Sequence, residues 1–335
     1  MKTMFYQWIR ALAALTVLVL AAAVSGYGQP AGAPNVYVAG NDRNMPCYWI
    51  NGVRYDLPVT GIDSTATAIA VSGSDVYIAG PDNEKPGYWL NGVRHDLPVT
   101  KTWDGYIGAI AVSGANVYVL DVDENKPYYW LNGKRQALPV TGTQGSARAI
   151  ALSGSDVYIT GNDGGKPCYW LNGRRQALPI TGKSGHVNAI ALSGSDVYIA
   201  GNDGGKPCYW INGVRYDLPV TGKFSDTTAI AVSGSDVYVA VSDGDEFKTT
   251  PGYWLNGVRQ GLPVTRESGS TSGIAVSGSD VYVAGIDGSF IELYKPGYWL
   301  NGKWQALPIT GKFGTATGIA LSHEAPAPQA VQPAQ

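Results

Sequence analysis

The stretch AIALSGSDVYIAGNDGGKPCYWINGVRYDLPVTG, residues 189–222, decides the fold. Residues 189–192 are short, alternating and small, and they end at the turn cluster Ser193-Gly194-Ser195-Asp196. Residues 197–200 are β-branched and aromatic and read as a second strand. After the loop Asn202-Asp203-Gly204-Gly205 comes a third strand, Cys208-Tyr209-Trp210-Ile211. Asn212-Gly213 then signals a hairpin, because a type I′ turn needs positive φ at both central residues. Residues 214–219 form a fourth strand, whose Pro219 suits an edge where a missing N–H breaks no ladder bond.

The same unit is written seven times. Its marker is a Tyr-Trp pair followed, after one aliphatic residue, by Asn-Gly. The pairs begin at Tyr48, Tyr88, Tyr129, Tyr169, Tyr209, Tyr253 and Tyr298, at spacings of 40, 41, 40, 40, 44 and 45 residues. A period of about 40 residues with four strands per unit is that of a β-propeller. The expected fold is therefore all-β: seven blades of four antiparallel strands over residues 35–323. The first blade strand in the chain is a second strand, residues 36–39, and the last is a first strand, residues 318–321. The last strand is expected to complete the first blade and close the ring, which removes exposed sheet edges.

The run Ala-Ile-Ala-Val-Ser-Gly-Ser-Asp-Val-Tyr-Ile-Ala-Gly, residues 68–80, resembles the repeat of bacterial seven-bladed β-propeller proteins that are exported. In that family an AIAVD…GNVYVTG segment joins the two inner strands. The likeness covers about half of each repeat. The other half, with Tyr-Trp-Leu-Asn-Gly and Leu-Pro-Val-Thr-Gly, departs from the family pattern. The resemblance implies the fold and export, and no activity.

The ends agree with export. Residues 1–28 begin with Lys2 and Arg10, continue through an apolar run and finish in small residues, the order of a secretory signal peptide. Residues 29–34 read as a linker. Residues 324–335 contain mostly Ala, Pro and Gln and are expected to be disordered. The protein is expected to be secreted or periplasmic, free of the membrane after cleavage, and monomeric. The formal charge of −2 becomes −4 once Lys2 and Arg10 are removed, and no basic run occurs, so nucleic acid is not an expected partner.

Cys47, Cys168 and Cys208 share one repeat position, just before Tyr-Trp. Equivalent third-strand positions in neighbouring blades should lie about 13 Å apart from strand spacing, beyond the roughly 7 Å limit of a disulfide. They are expected to be buried free thiols.

Candidate chemistry is sparse. An Asp closes every second strand (Asp42, Asp82, Asp123, Asp163, Asp203, Asp243, Asp287), and is read as a turn cap of the Asx type rather than a cation ring. Asp121-Val122-Asp123-Glu124-Asn125 opens like a calcium loop but lacks the Gly at position six and the acid at position twelve. The seven repeat tryptophans are read as core rather than as sugar-stacking platforms. His95, His186 and His323 share no metal-ligand spacing, and no nucleophile elbow is present, so neither a cofactor nor catalysis is expected.

What remains is the face carrying the loops after the second and fourth strands, where the repeats differ. Two insertions hold Asp245, Glu246 and Phe247, and Phe290, Ile291, Leu293 and Tyr294. The blade connections add Trp103, Tyr106, Arg148, His186, Phe224 and Phe313. Loops on a rigid scaffold concentrate binding groups. The expected function is protein interaction through this face. The alternative is a multivalent lectin with an equivalent glycan pocket in each blade gap.

Overall fold

A computed structural model describes residues 32–99, 105–123, 125–220, 222–245, 248–288 and 294–331. Among the described residues there are 28 strands in seven four-stranded antiparallel sheets. Blade 1 holds β1 (Asn35–Asp42), β2 (Met45–Ile50) and β3 (Val53–Asp56). Blade 2 holds β4 (Ala68–Ser72), β5 (Asp75–Ala79), β6 (Gly87–Leu90) and β7 (Val93–Asp96). Blade 3 holds β8 (Tyr106–Ser113), β9 (Asn116–Asp123), β10 (Lys126–Leu131) and β11 (Lys134–Ala137). Blade 4 holds β12 (Gly145–Ser153), β13 (Asp156–Asp163), β14 (Lys166–Leu171) and β15 (Arg174–Ala177). Blade 5 holds β16 (Gly185–Ser193), β17 (Asp196–Asp203), β18 (Lys206–Ile211) and β19 (Val214–Asp217). Blade 6 holds β20 (Phe224–Ser233), β21 (Asp236–Gly244), β22 (Thr249–Leu255) and β23 (Val258–Gly261). Blade 7 holds β24 (Gly269–Ser277), β25 (Asp280–Asp287), β26 (Lys295–Leu300) and β27 (Lys303–Ala306). The final strand, β28 (Gly314–Ser322), pairs with β1 and supplies the inner strand of blade 1. The ring is closed as expected.

Each blade is pinned at its hairpins. Asn212 and Gly213 both have positive φ, 51° and 81°, as the I′ turn requires. The Asn side chain does more than tolerate that conformation. Asn212 Oδ1 accepts the Val197 N–H at 2.9 Å and its Nδ2 donates to Asp196 at 2.8 Å, tying the outer hairpin to the turn between β16 and β17.

The core lies between blades. The repeat tryptophans are at most 4% exposed. Trp49, Trp89, Trp170, Trp210 and Trp299 each donate their indole N–H across to a proline carbonyl of the preceding blade, at 2.7–2.9 Å. They are packing residues, each stitching two blades together. The three cysteines are free and buried. Burial pushes the Cys168 thiol up to about 12.

The segment after β28 lies along the tight-turn face: the Ala327 and Ala330 amides donate to Ser74 and Asn91. A Pro/Ala/Gln segment has no core of its own, but it can borrow the groove between two blades. Residues 332–335 lie outside the described residues.

Candidate functional site

The loop-rich face is organised by the recurring Asp, and its geometry corrects the Asx-turn reading. Asp163 does not cap its own turn. It accepts the Thr141 amide at 2.9 Å, the Thr141 hydroxyl at 2.6 Å and the Gly142 amide at 2.8 Å, all from the preceding blade. Arg175 of its own blade's outer strand closes the cluster at 2.7 Å. Asp42, Asp82, Asp203 and Asp287 hold Thr310, Thr60, Thr181 and Thr265 in the same way. Burial pushes the Asp163 carboxyl up, but the Thr141 and Gly142 donors and Arg175 outweigh it and hold the group below the usual carboxylate range. These carboxylates are saturated with protein donors, which makes them clamps between blades.

Asp121 is likewise turned inward. It is buried and accepts the Tyr128 hydroxyl at 2.6 Å and the Trp130 indole N–H at 3.0 Å. In blade 3 this carboxylate takes the indole N–H that a proline carbonyl takes in the five blades above.

With the clamps fixing the rim, the inner strands set the mouth of the central channel. Each of β8, β12, β16, β20, β24 and β28 shifts register near its loop-side end. The extra residue there is Gly108, Arg148, Asn188, Thr228, Ser272 or Thr317, and Thr67 stands at the equivalent position before β4. A bulge bends the strand and re-aims a side chain. The Ala-Ile or Gly-Ile that follows repeats around the ring, whereas the bulged position changes from blade to blade. Beneath lies an open cavity of about 240 Å³, lined by most of those Ala, Ile and Gly residues together with Thr67, Thr317 and Arg148.

Two residues upstream, a second varied position carries Tyr106, Ser146, His186, Asp226 and Ser270 in blades 3–7. Its members reach across blades. His186 Nε2 lies 3.1 Å from Asp226 Oδ1, and Asn188 Nδ2 donates to Thr227 O at 2.6 Å. The Arg148 guanidinium lies 5.8 Å from the Tyr106 ring centre, a cation–π pair between the neighbouring blades 3 and 4. Thr228 and Thr271 share a 2.7 Å hydroxyl bond.

Of the residues singled out in the sequence, Tyr106, Arg148 and His186 therefore sit on the varied mouth positions. Phe224 opens β20 opposite Gly244 and is exposed, next to Asp245, whose amide donates to Lys248 O at 2.9 Å. Tyr294 and Phe313 meet edge to face at 6.2 Å between blade 7 and β28, forming a separate aromatic step on the rim. Trp103, Glu246, Phe247, Phe290, Ile291 and Leu293 lie outside the described residues. Asn188 and Asp226 were missed by sequence reasoning. Their signal was available as the repeat columns in which otherwise near-identical blades disagree.

No protein-family model matches this chain, and no curated protein does. Among solved structures, a computationally designed protein, Ika8, is similar over 87% of this chain and 93% of its own, with 17% identity and a TM-score of 0.49. The extracellular domain of a putative hybrid two-component system, BT4673, from B. thetaiotaomicron is similar over 88% of this chain, with 9% identity and a TM-score of 0.49. This chain spans 38% of that protein's length.

Proposed function

We propose that this protein is an exported, non-catalytic binding propeller that engages a partner protein through its loop-rich face, centred on the channel mouth. One observation carries the reading. In a chain of near-identical blades, chemically different side chains stand at two repeat positions, Arg148 and Asn188 at the bulge and Tyr106, His186 and Asp226 two residues before it, along one arc of the rim formed by blades 3–6. A scaffold that keeps most of its repeat positions and places different chemistry at these two is arranged for recognition of an asymmetric object.

The burial of the repeat tryptophans favours a protein partner over a glycan, because it withdraws the tryptophan faces that a sugar site in every blade gap would use. The non-catalytic reading rests on the sequence, where the histidines share no metal-ligand spacing and no nucleophile elbow occurs; in the structure the three histidines lie apart. His95 stacks on Tyr88 at 5.0 Å, His323 lies 3.3 Å from Ser277, and His186 pairs with Asp226. Export rests on the signal-like N-terminal segment.

The test is affinity capture from envelope extracts and culture medium, beside a glycan array. A variant carrying Arg148→Ala, His186→Ala and Asp226→Ala is expected to lose its protein partner at unchanged melting temperature, while Lys134→Ala on an outer strand keeps it. Undiminished capture by the triple variant, or density-dependent binding to glycans alone, would refute the reading.

A further inference from the structure

The opposite face, made by the tight turns, carries a docking example built into the chain. Residues 324–331 run across the gap between blades 1 and 2. The Ala327 amide donates to Ser74 O and the Ala330 amide to Asn91 O, each at 2.8 Å. The Tyr48 hydroxyl donates to Gln329 Oε1 at 2.7 Å. Val331 lies over Gly92 and packs on the cluster containing Tyr37, Tyr48 and Ile50. Two of these four contacts are made to backbone carbonyls and one to Tyr48, which recurs in every blade.

Burial shows what the segment covers. Tyr48 is 0% exposed and Ile50 5%. Their repeat equivalents are only half-buried: Tyr88, Tyr129, Tyr169, Tyr209, Tyr253 and Tyr298, each with the aliphatic residue two places on. The same groove therefore stands open at the other gaps. Between blades 3 and 4 it offers Tyr129, Ser155 O and Asn172 O; between blades 4 and 5 it offers Tyr169, Ser195 O and Asn212 O.

We propose that the five gaps from blades 2–3 through 6–7 are docking slots for an extended Pro/Ala-rich segment of another protein that carries a glutamine in the place of Gln329. The chemistry follows from the bound example. Proline holds the segment extended before it binds, so little chain entropy is lost. Spaced alanines leave their amides free for the two turn carbonyls, and one glutamine carbonyl meets the tyrosine hydroxyl. The gap between blades 7 and 1 is left out, because there Ser322 and Asn35 replace the continuous turn and Asn35 is bonded to Glu324 O.

A tethered segment sees its slot at an effective concentration of about millimolar, so one free copy binds weakly, and affinity must come from several slots filled together. The test uses the full chain and a peptide of residues 323–331, His-Glu-Ala-Pro-Ala-Pro-Gln-Ala-Val, immobilised at graded densities. Retention is expected to rise at least about tenfold from sparse to dense surfaces. A peptide with Gln329→Ala should lose most of it. So should protein carrying Tyr129→Phe, Tyr169→Phe and Tyr209→Phe, which removes only hydroxyls and leaves the melting temperature near that of the parent. Retention no better than that of a scrambled peptide overturns the proposal. So does retention independent of density, which would mean exchange with the chain's own segment at the first gap alone, and so does a Tyr→Phe triple variant that binds like the parent.

Discussion

Asp163 shows how one carboxylate can join two blades. It takes three donors from the preceding blade and one arginine from its own, with its side chain fully out of solvent. Because these partners favour the charged form, Asp163 titrates below its ordinary value, as do Asp42, Asp82 and Asp203. The sign follows directly. A group whose folded pKa is depressed lends stability above its unfolded value, about 3.9 for Asp, and that stability is lost as pH falls through the lower folded value. The melting temperature should therefore be level near neutrality and fall below about pH 4. Asp163→Asn should melt lower at pH 7, by the equivalent of about 3 kcal/mol for a broken buried pair. Its deficit should narrow as the parent's own carboxylate is protonated. Calorimetric scans from pH 7 to pH 2 check this, and a constant deficit would show that the charge on Asp163 plays no part.

At the scale of the hairpin, Asn172-Gly173 illustrates which features the sequence exposes and which it hides. The turn was legible because its chemistry is local: both residues take positive φ, 50° and 77°, and few side chains allow that. Asn172 also accepts the Val157 amide at 2.9 Å and donates to Asp156 at 2.8 Å. Those bonds join turns fifteen residues apart and were not read from the dipeptide. Asn172→Gly should keep the backbone and lose the bonds, costing about 1 kcal/mol. Asn172→Ala loses both and should cost about twice that. Denaturant titration separates the two: equal losses would mean that the positive φ costs alanine nothing, and a glycine variant as stable as the parent would mean that the side-chain bonds contribute nothing. The four strands of a blade were legible for the same reason; the blade number came from counting repeats, and ring closure from the offset between residues 36–39 and 318–321. The Asp clamps were misread because their partners lie in the preceding blade. Tyr106, Arg148 and His186 were found as isolated variations, while Asp226 and Asn188 became part of the site only when register shifts brought blades 5 and 6 together. The docked residues 324–331 were missed because composition describes what a segment can do alone, not which groove it can enter.

At the scale of the molecule, closure depends on β28 pairing with β1 through eight residue pairs, from Asn35↔Ser322 to Asp42↔Gly314. Every other blade is continuous in the chain. Blade 1 alone must be assembled from two distant segments, so the loss of its inner strand should have a consequence that loss of chain length elsewhere does not. Truncation after residue 313 leaves β1 as an uncovered edge of buried, β-branched residues, with Val36 and Val38 exposed on one flank of the ring. That variant should form concentration-dependent oligomers or aggregate. A circular permutant is the control that separates edge exposure from mere disruption. Joining residue 331 to residue 32 by a flexible linker and opening the chain at Asn172-Gly173 keeps every strand, and moves the break to a solvent-facing hairpin. It should stay monomeric and melt within a few degrees of the parent. Light scattering over a concentration series gives the comparison. If the truncated chain remained monomeric, the paired edge would not be what holds the ring closed, and the clamps and tryptophan bonds between blades would have to suffice.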